Sequence, residues 1–196
     1  MKITQFKKSS FAVAIVLLIS AFCHADLVIE FSDDGTDTTA VLTGSVDIST
    51  LSAPTSVNQP TSFVWATNGA IGFAGFVDRW EGVAFVPTSP FGTSGFVGGG
   101  TSGVNTIGDE FQFNATSGRL ELPEGYVSGT KLNSTLTIPG NTVTDLGIVA
   151  TQYSFLGGQT IKIQPVSSSI PEPSNLVWLS ALTGLCYLQR RRPETR

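Results

Sequence analysis

Asp78 and Glu81 bracket Arg79 and Trp80, and a carboxylate pair beside an indole is the equipment of a sugar-binding face or a glycosidase. Hydrolysis requires the two carboxyl groups to face each other across a cleft, which residues this close in one strand or turn rarely achieve. The plainer reading is a solvated rim with Trp80 in the core; the functional reading is sugar binding through Trp65, Asp78, Trp80 and Glu81. Tyr126 and Tyr153 carry the same two readings. A second constellation, Asp33-Asp34-Gly35-Thr36-Asp37, puts three carboxylates in a turn, as a hard cation requires. The spacing departs from an EF-hand loop, and Asp and Gly form turns without any metal. No cofactor is expected, with calcium at Asp33, Asp34 and Asp37 as the alternative.

The chain has one histidine, His24, and two cysteines, Cys23 and Cys186, all in its end segments. The body from residue 26 onward therefore holds neither thiol nor imidazole before the tail. Ser-His-Asp and Cys-His catalysis, zinc sites built on those ligands and a disulfide framework are excluded there. No catalytic residue is assigned, and the body is expected not to be an enzyme. Its four basic residues, Arg79, Arg119, Lys131 and Lys162, face thirteen carboxylates, a balance of −9. Nucleic acid and anionic membrane surfaces call for clustered Lys and Arg, so neither is an expected partner of the body. The glycine-rich run 92–108 lacks the lysine of a phosphate-cradling loop and is expected to be a long mobile loop.

The elements that must position these side chains read as strands. Ala40 to Ile48 alternates apolar and polar residues with period two, and Leu27 to Phe31 before it, joined through Ser32-Asp33-Asp34-Gly35, predicts an opening hairpin. Further strands are expected over 62–66, 71–77, 82–86, 110–113, 119–122, 131–138, 142–149, 151–156 and 159–164, with Gly157-Gly158 turning the last two into a hairpin. Many short strands without a convincing helix predict an all-β antiparallel two-sheet sandwich or jelly-roll-like domain, with a barrel as the alternative.

The two ends differ from this body. Lys2, Lys7 and Lys8 precede an uncharged run from Phe11 to Phe22, and small residues at 23 and 25 suit cleavage between Ala25 and Asp26, so 1–25 reads as a signal peptide and 26–166 as a β-rich extracytoplasmic domain. Beyond it come a linker with Pro171-Glu172-Pro173 over 167–175, an apolar run over 176–188 and a basic end over 189–196 that contains Arg190, Arg191 and Arg192. As a helix the apolar run would span ~20 Å against a hydrocarbon core of ~30 Å, a marginal anchor whose arginines resist translocation. Pro171-Glu172-Pro173, the apolar run and the arginine cluster in that order resemble the PEP-CTERM sorting signal of exopolysaccharide-producing Gram-negative bacteria.

That resemblance implies export through the secretion machinery, a transient membrane anchor, processing by exosortase and delivery to the cell surface or extracellular matrix. The body also resembles small uncharacterised PEP-CTERM proteins through Gly44-Ser45-Val46-Asp47-Ile48, Gly108-Asp109-Glu110-Phe111 and Leu122-Pro123-Glu124-Gly125-Tyr126-Val127-Ser128-Gly129. The expected function is that of an exported surface or matrix protein, structural or associated with exopolysaccharide. A carbohydrate-binding module, calcium-assisted, is the alternative, followed by a carboxylate-only glycosidase.

Overall fold

A pleated strand turns successive side chains to opposite faces, and the first described strand follows this rule strictly: Leu27, Ile29 and Phe31 are fully buried while Glu30 is exposed. The computed structural model describes residues 26–98 and 104–166. Thirteen strands, numbered in chain order, make up two sheets among the described residues. The six-stranded sheet runs in the order β12 (Thr151–Phe155), β13 (Gln159–Pro165), β1 (Asp26–Asp33), β2 (Thr38–Gly44), β11 (Leu132–Ile138) and β8 (Asn105–Gly108). The seven-stranded sheet runs in the order β3 (Thr55–Gln59), β6 (Gly75–Glu81), β10 (Arg119–Pro123), β9 (Phe111–Asn114), β5 (Ala70–Phe73), β4 (Phe63–Trp65) and β7 (Phe96–Gly98).

The two sheets share one core, as expected of an all-β sandwich. Phe113 of β9 is its hub. Its ring centroid lies 5.4 Å from that of Tyr153 in the opposite sheet, 5.9 Å from Phe85, and 6.2 Å from both Phe91 and Phe111. Phe85 and Phe91 enter from the connection after β6, so a loop as well as two sheets feeds the seam. Tyr153 satisfies its buried hydroxyl by donating to the Ser89 carbonyl at 2.7 Å.

Most expected strands are present, and the exceptions have local causes. The ladder is not purely antiparallel, because β13 lies parallel to β1, with Asp26 opposite Thr160 and Phe31 opposite Pro165. Such a neighbour needs a long crossover, and here nearly the whole domain intervenes. Residues 142–149 hold a helical turn, α1 (Val143–Leu146), instead of a strand. Thr142 and Asp145 cap each other's backbone amides there, and Gly147 closes the turn in the left-handed region at φ 59°. Residues 82–86 make only an isolated bridge between Val86 and Ser154, since Gly82 at φ 77° turns the chain out of the sheet.

The run 71–77 is two strands broken at Ala74, whose amide donates to Ser62 Oγ. Within the glycine-rich run 92–108, expected to be a mobile loop, 96–98 and 105–108 form β7 and β8 at the edges of different sheets, while 99–103 lie outside the described residues. β3 is polar and carries no alternation to read. The hairpin at Gly157-Gly158 has a three-residue loop, Leu156 to Gly158, in place of a two-residue turn, with Phe155 opposite Gln159.

If the Phe113 seam ties the sheets together, Phe113→Ala will lower unfolding stability by about 3–5 kcal/mol. A urea titration followed by intrinsic fluorescence reads this directly, and a loss below about 1 kcal/mol would contradict it.

Candidate functional site

The pleat divides the sugar-site candidates. On β6, Asp78 and Trp80 belong to the core-facing set and Arg79 and Glu81 to the outer set. Trp80 is 4% exposed and pairs across the sheet with Leu120, while its indole Nε1–H donates to the Ser52 carbonyl at 2.8 Å. It is a core residue and leaves the candidate set. Asp78 accepts the Gly125 amide at 2.8 Å, and Glu81 lies 3.5 Å from Arg119 on the far side of the strand. Three residues apart in an extended strand, the two carboxylates cannot face a common substrate. Tyr153 is fully buried. Tyr126 accepts the Val46 amide at 2.9 Å and donates to the Thr130 carbonyl at 2.6 Å, which makes it a staple between segments.

The carboxylates of the acidic turn accept hydrogen bonds from the chain itself. Asp34 Oδ1 accepts the amides of Asp37 and Thr36 at 2.9 Å and the Thr36 hydroxyl at 2.7 Å. The amide of Asp37 above all, then the hydroxyl and amide of Thr36, hold the Asp34 carboxyl down at about 2. Asp33 accepts the Val143 amide at 2.8 Å, tying the turn to α1, and Asp37 accepts the Gly140 amide at 2.9 Å. Among the described residues no three His, Cys, Asp or Glu side chains form a metal-ligating group.

Trp65 is the sequence candidate that stays open. It is 40% exposed on the outer face of the seven-stranded sheet and meets Phe96 edge-on, with ring centroids 6.0 Å apart. Phe96 is 53% exposed and stacks on Phe63 at 5.3 Å. The Phe63 ring lies over Gly72 of the neighbouring strand, where a Cβ would come within 2.5 Å of it. Continuing across the face, register places Gly72 beside Gln112, Gln112 beside Glu121, and Glu121 beside Arg79. Glu121 is fully buried and accepts from Arg79 Nε at 2.5 Å, with Arg119 Nε 4.0 Å from the same oxygen. Glu81, Arg119, Glu121 and Arg79 thus form a charge-balanced ladder.

Sequence reading missed Phe63, Phe96, Gln112, Glu121, Arg79 and Arg119 as a group, because they come from five strands and only the sheet register unites them. Of the expected processing residues, Asp26 opens β1, where its carboxylate accepts the Thr160 hydroxyl at 2.7 Å and pairs with Lys162 at 3.2 Å. Its pKa is lowered, first by the Thr160 hydroxyl. Ala25, Pro171, Glu172, Pro173, Arg190, Arg191 and Arg192 lie outside the described residues, as do the signal peptide and the apolar tail. No protein family, curated protein or solved structure matches the chain.

The Asp34 bonds stabilise the fold fully above the ordinary aspartate range near about 4, and this contribution is lost as the pH falls through 2. Thermal melts at pH 6 and pH 3 should show a smaller acid-induced loss in Asp34→Ala than in the wild type. Identical acid dependence in the two proteins would contradict this role.

Proposed function

We propose that this protein is exported, held briefly by its C-terminal tail, and sorted to the cell surface or extracellular matrix, where a jelly-roll-like body works by binding rather than by catalysis, in association with exopolysaccharide. The reading is carried by the ordered pair of end signals, the basic and apolar start before Ala25 and the Pro171-Glu172-Pro173, apolar and arginine sequence at the end. The ladder pattern favours it. Every described strand falls between Asp26 and Pro165, so a cut after Ala25 or at Pro171 to Pro173 leaves all the described rungs of both sheets in place.

The side chains favour binding in the same way. Asp33, Asp34, Asp37 and Asp78 are each engaged by backbone amides, which occupies them as structural acceptors. The carbohydrate-binding alternative is favoured by one specific feature, the exposed pair Trp65 and Phe96 on the outer face, and does not involve Trp80. Exosortase and the secretion machinery are the processing partners of this reading, and the membrane is a temporary one.

Cells with and without exosortase separate the possibilities when fractionated and probed for this chain. Loss of the enzyme should leave a heavier, membrane-associated form in place of the released one. An unchanged mass and location would contradict the sorting reading.

A further inference from the structure

We propose that the outer face of the seven-stranded sheet binds a neutral hexopyranose polymer, which stacks on Trp65 and Phe96 and hydrogen-bonds along Gln112, Glu121 and Arg119. This deepens the surface-protein reading and rests on it for the supply of polymer. The first observation is the aromatic pair. Trp65 and Phe96 keep 40% and 53% of their surface exposed while holding each other edge-on, with Phe63 stacked behind at 6% exposure. A rigid aromatic surface of this kind suits the C–H face of a pyranose ring, which is apolar and flat.

The second observation is independent of the first. Gln112 is 3% exposed and Glu121 fully buried, both in the outward-facing set of their strands, yet Gln112 Oε1, Glu121 Oε2 and Arg119 Nε have no hydrogen-bond partner. Unmet buried polar atoms are rare and costly, and three on adjoining strands of one face call for an explanation. A ligand hydroxyl can donate to the two carbonyl-type oxygens and accept from the guanidinium N–H, so one class of group serves all three. The side chains of Arg79 and Arg119 flank Glu121 and are 23% and 33% exposed, so the ladder meets solvent through its guanidinium groups.

Between the aromatic and polar ends lie Ala70 and Gly72 of β5, and the Phe63 ring covers Gly72, so the aromatic surface reaches from Phe96 to the edge of Gln112. From β10 to β7 the face crosses four strand spacings, about 19 Å, enough for several sugar rings in a row. Charge selects among polymers. The ladder of Glu81, Arg119, Glu121 and Arg79 is balanced and the body carries −9, which repels a polyanion. An acidic polymer would also bring carboxylates, which cannot donate to Gln112 or Glu121. An apolar peptide or a second copy docking through the aromatic pair would leave the polar atoms unmet.

The test is affinity electrophoresis of the full chain, purified in mild detergent, through gels containing hydroxyethyl cellulose, laminarin, galactomannan or polygalacturonate. At least one neutral polymer should retard the wild type and polygalacturonate should not. The double variant Trp65→Ala/Phe96→Ala should bind roughly tenfold or more weakly, and Gln112→Ala severalfold more weakly. Trp65→Tyr should retain most binding, and Phe76→Ala, an exposed aromatic outside the outward-facing set, should match the wild type. If the double variant melts early, Gln112→Ala and Trp65→Tyr decide the matter. No retardation by any neutral polymer would overturn the proposal, as would retardation untouched by a folded double variant or by Gln112→Ala, or a dimer that the double variant dissolves without any polymer binding. A sorting failure in cells leaves this readout intact, so the two readings fail separately.

Discussion

The Phe113 seam is the interaction on which the rest depends. A strand offers one side chain in two to the core, and Phe111, Phe113, Leu120, Leu122, Ile71 and Trp80 spend that half of the seven-stranded sheet on packing against Tyr153 and its neighbours. Whatever that sheet does for function must then come from the other half. This constraint explains why Trp65 and Trp80 have different fates. Trp80 is in phase with the core set and is buried with its N–H satisfied, whereas Trp65 is in phase with Gln112 and Glu121 and stays open.

A second set of contacts closes one end of the sandwich. Tyr126 reaches the Val46 amide, the Gly129 amide donates to the Val46 carbonyl at 2.8 Å, and Ser128 Oγ donates to Asp47 at 2.6 Å. Gln159 completes the clamp by exchanging two hydrogen bonds with the Asp47 backbone, at 2.7 and 2.8 Å. The segments 44–48 and 122–129 are therefore the two sides of one staple. Their residue types answer to hydrogen-bonding geometry, and Tyr126 and Asp47 are occupied by it.

Legibility followed the same physics. The strands Leu27 to Phe31, Ala40 to Leu42 and Leu132 to Ile138 bury alternate residues, so their periodicity was visible in the chain. Thr142 to Val149 was misread because a capping pair and a left-handed glycine, not alternation, set its conformation. β3, β7 and β8 are polar or glycine-rich edges held by neighbours far away in sequence, which leaves little local pattern to find. The candidate face was illegible for a related reason. Glu121 and Gln112 look like ordinary surface residues until register sets them beside each other and beneath Arg79 and Arg119.

The two body tryptophans sit on opposite faces of the seven-stranded sheet, Trp80 in the core and Trp65 on the proposed ligand face. Indole N–H resonances of the 15N-labelled chain, recorded while a neutral glucan oligosaccharide is added, address this division directly. The Trp65 signal should shift in a saturable way while the Trp80 signal stays in place. A fixed Trp65 signal throughout the titration, or a larger shift at Trp80, would contradict it.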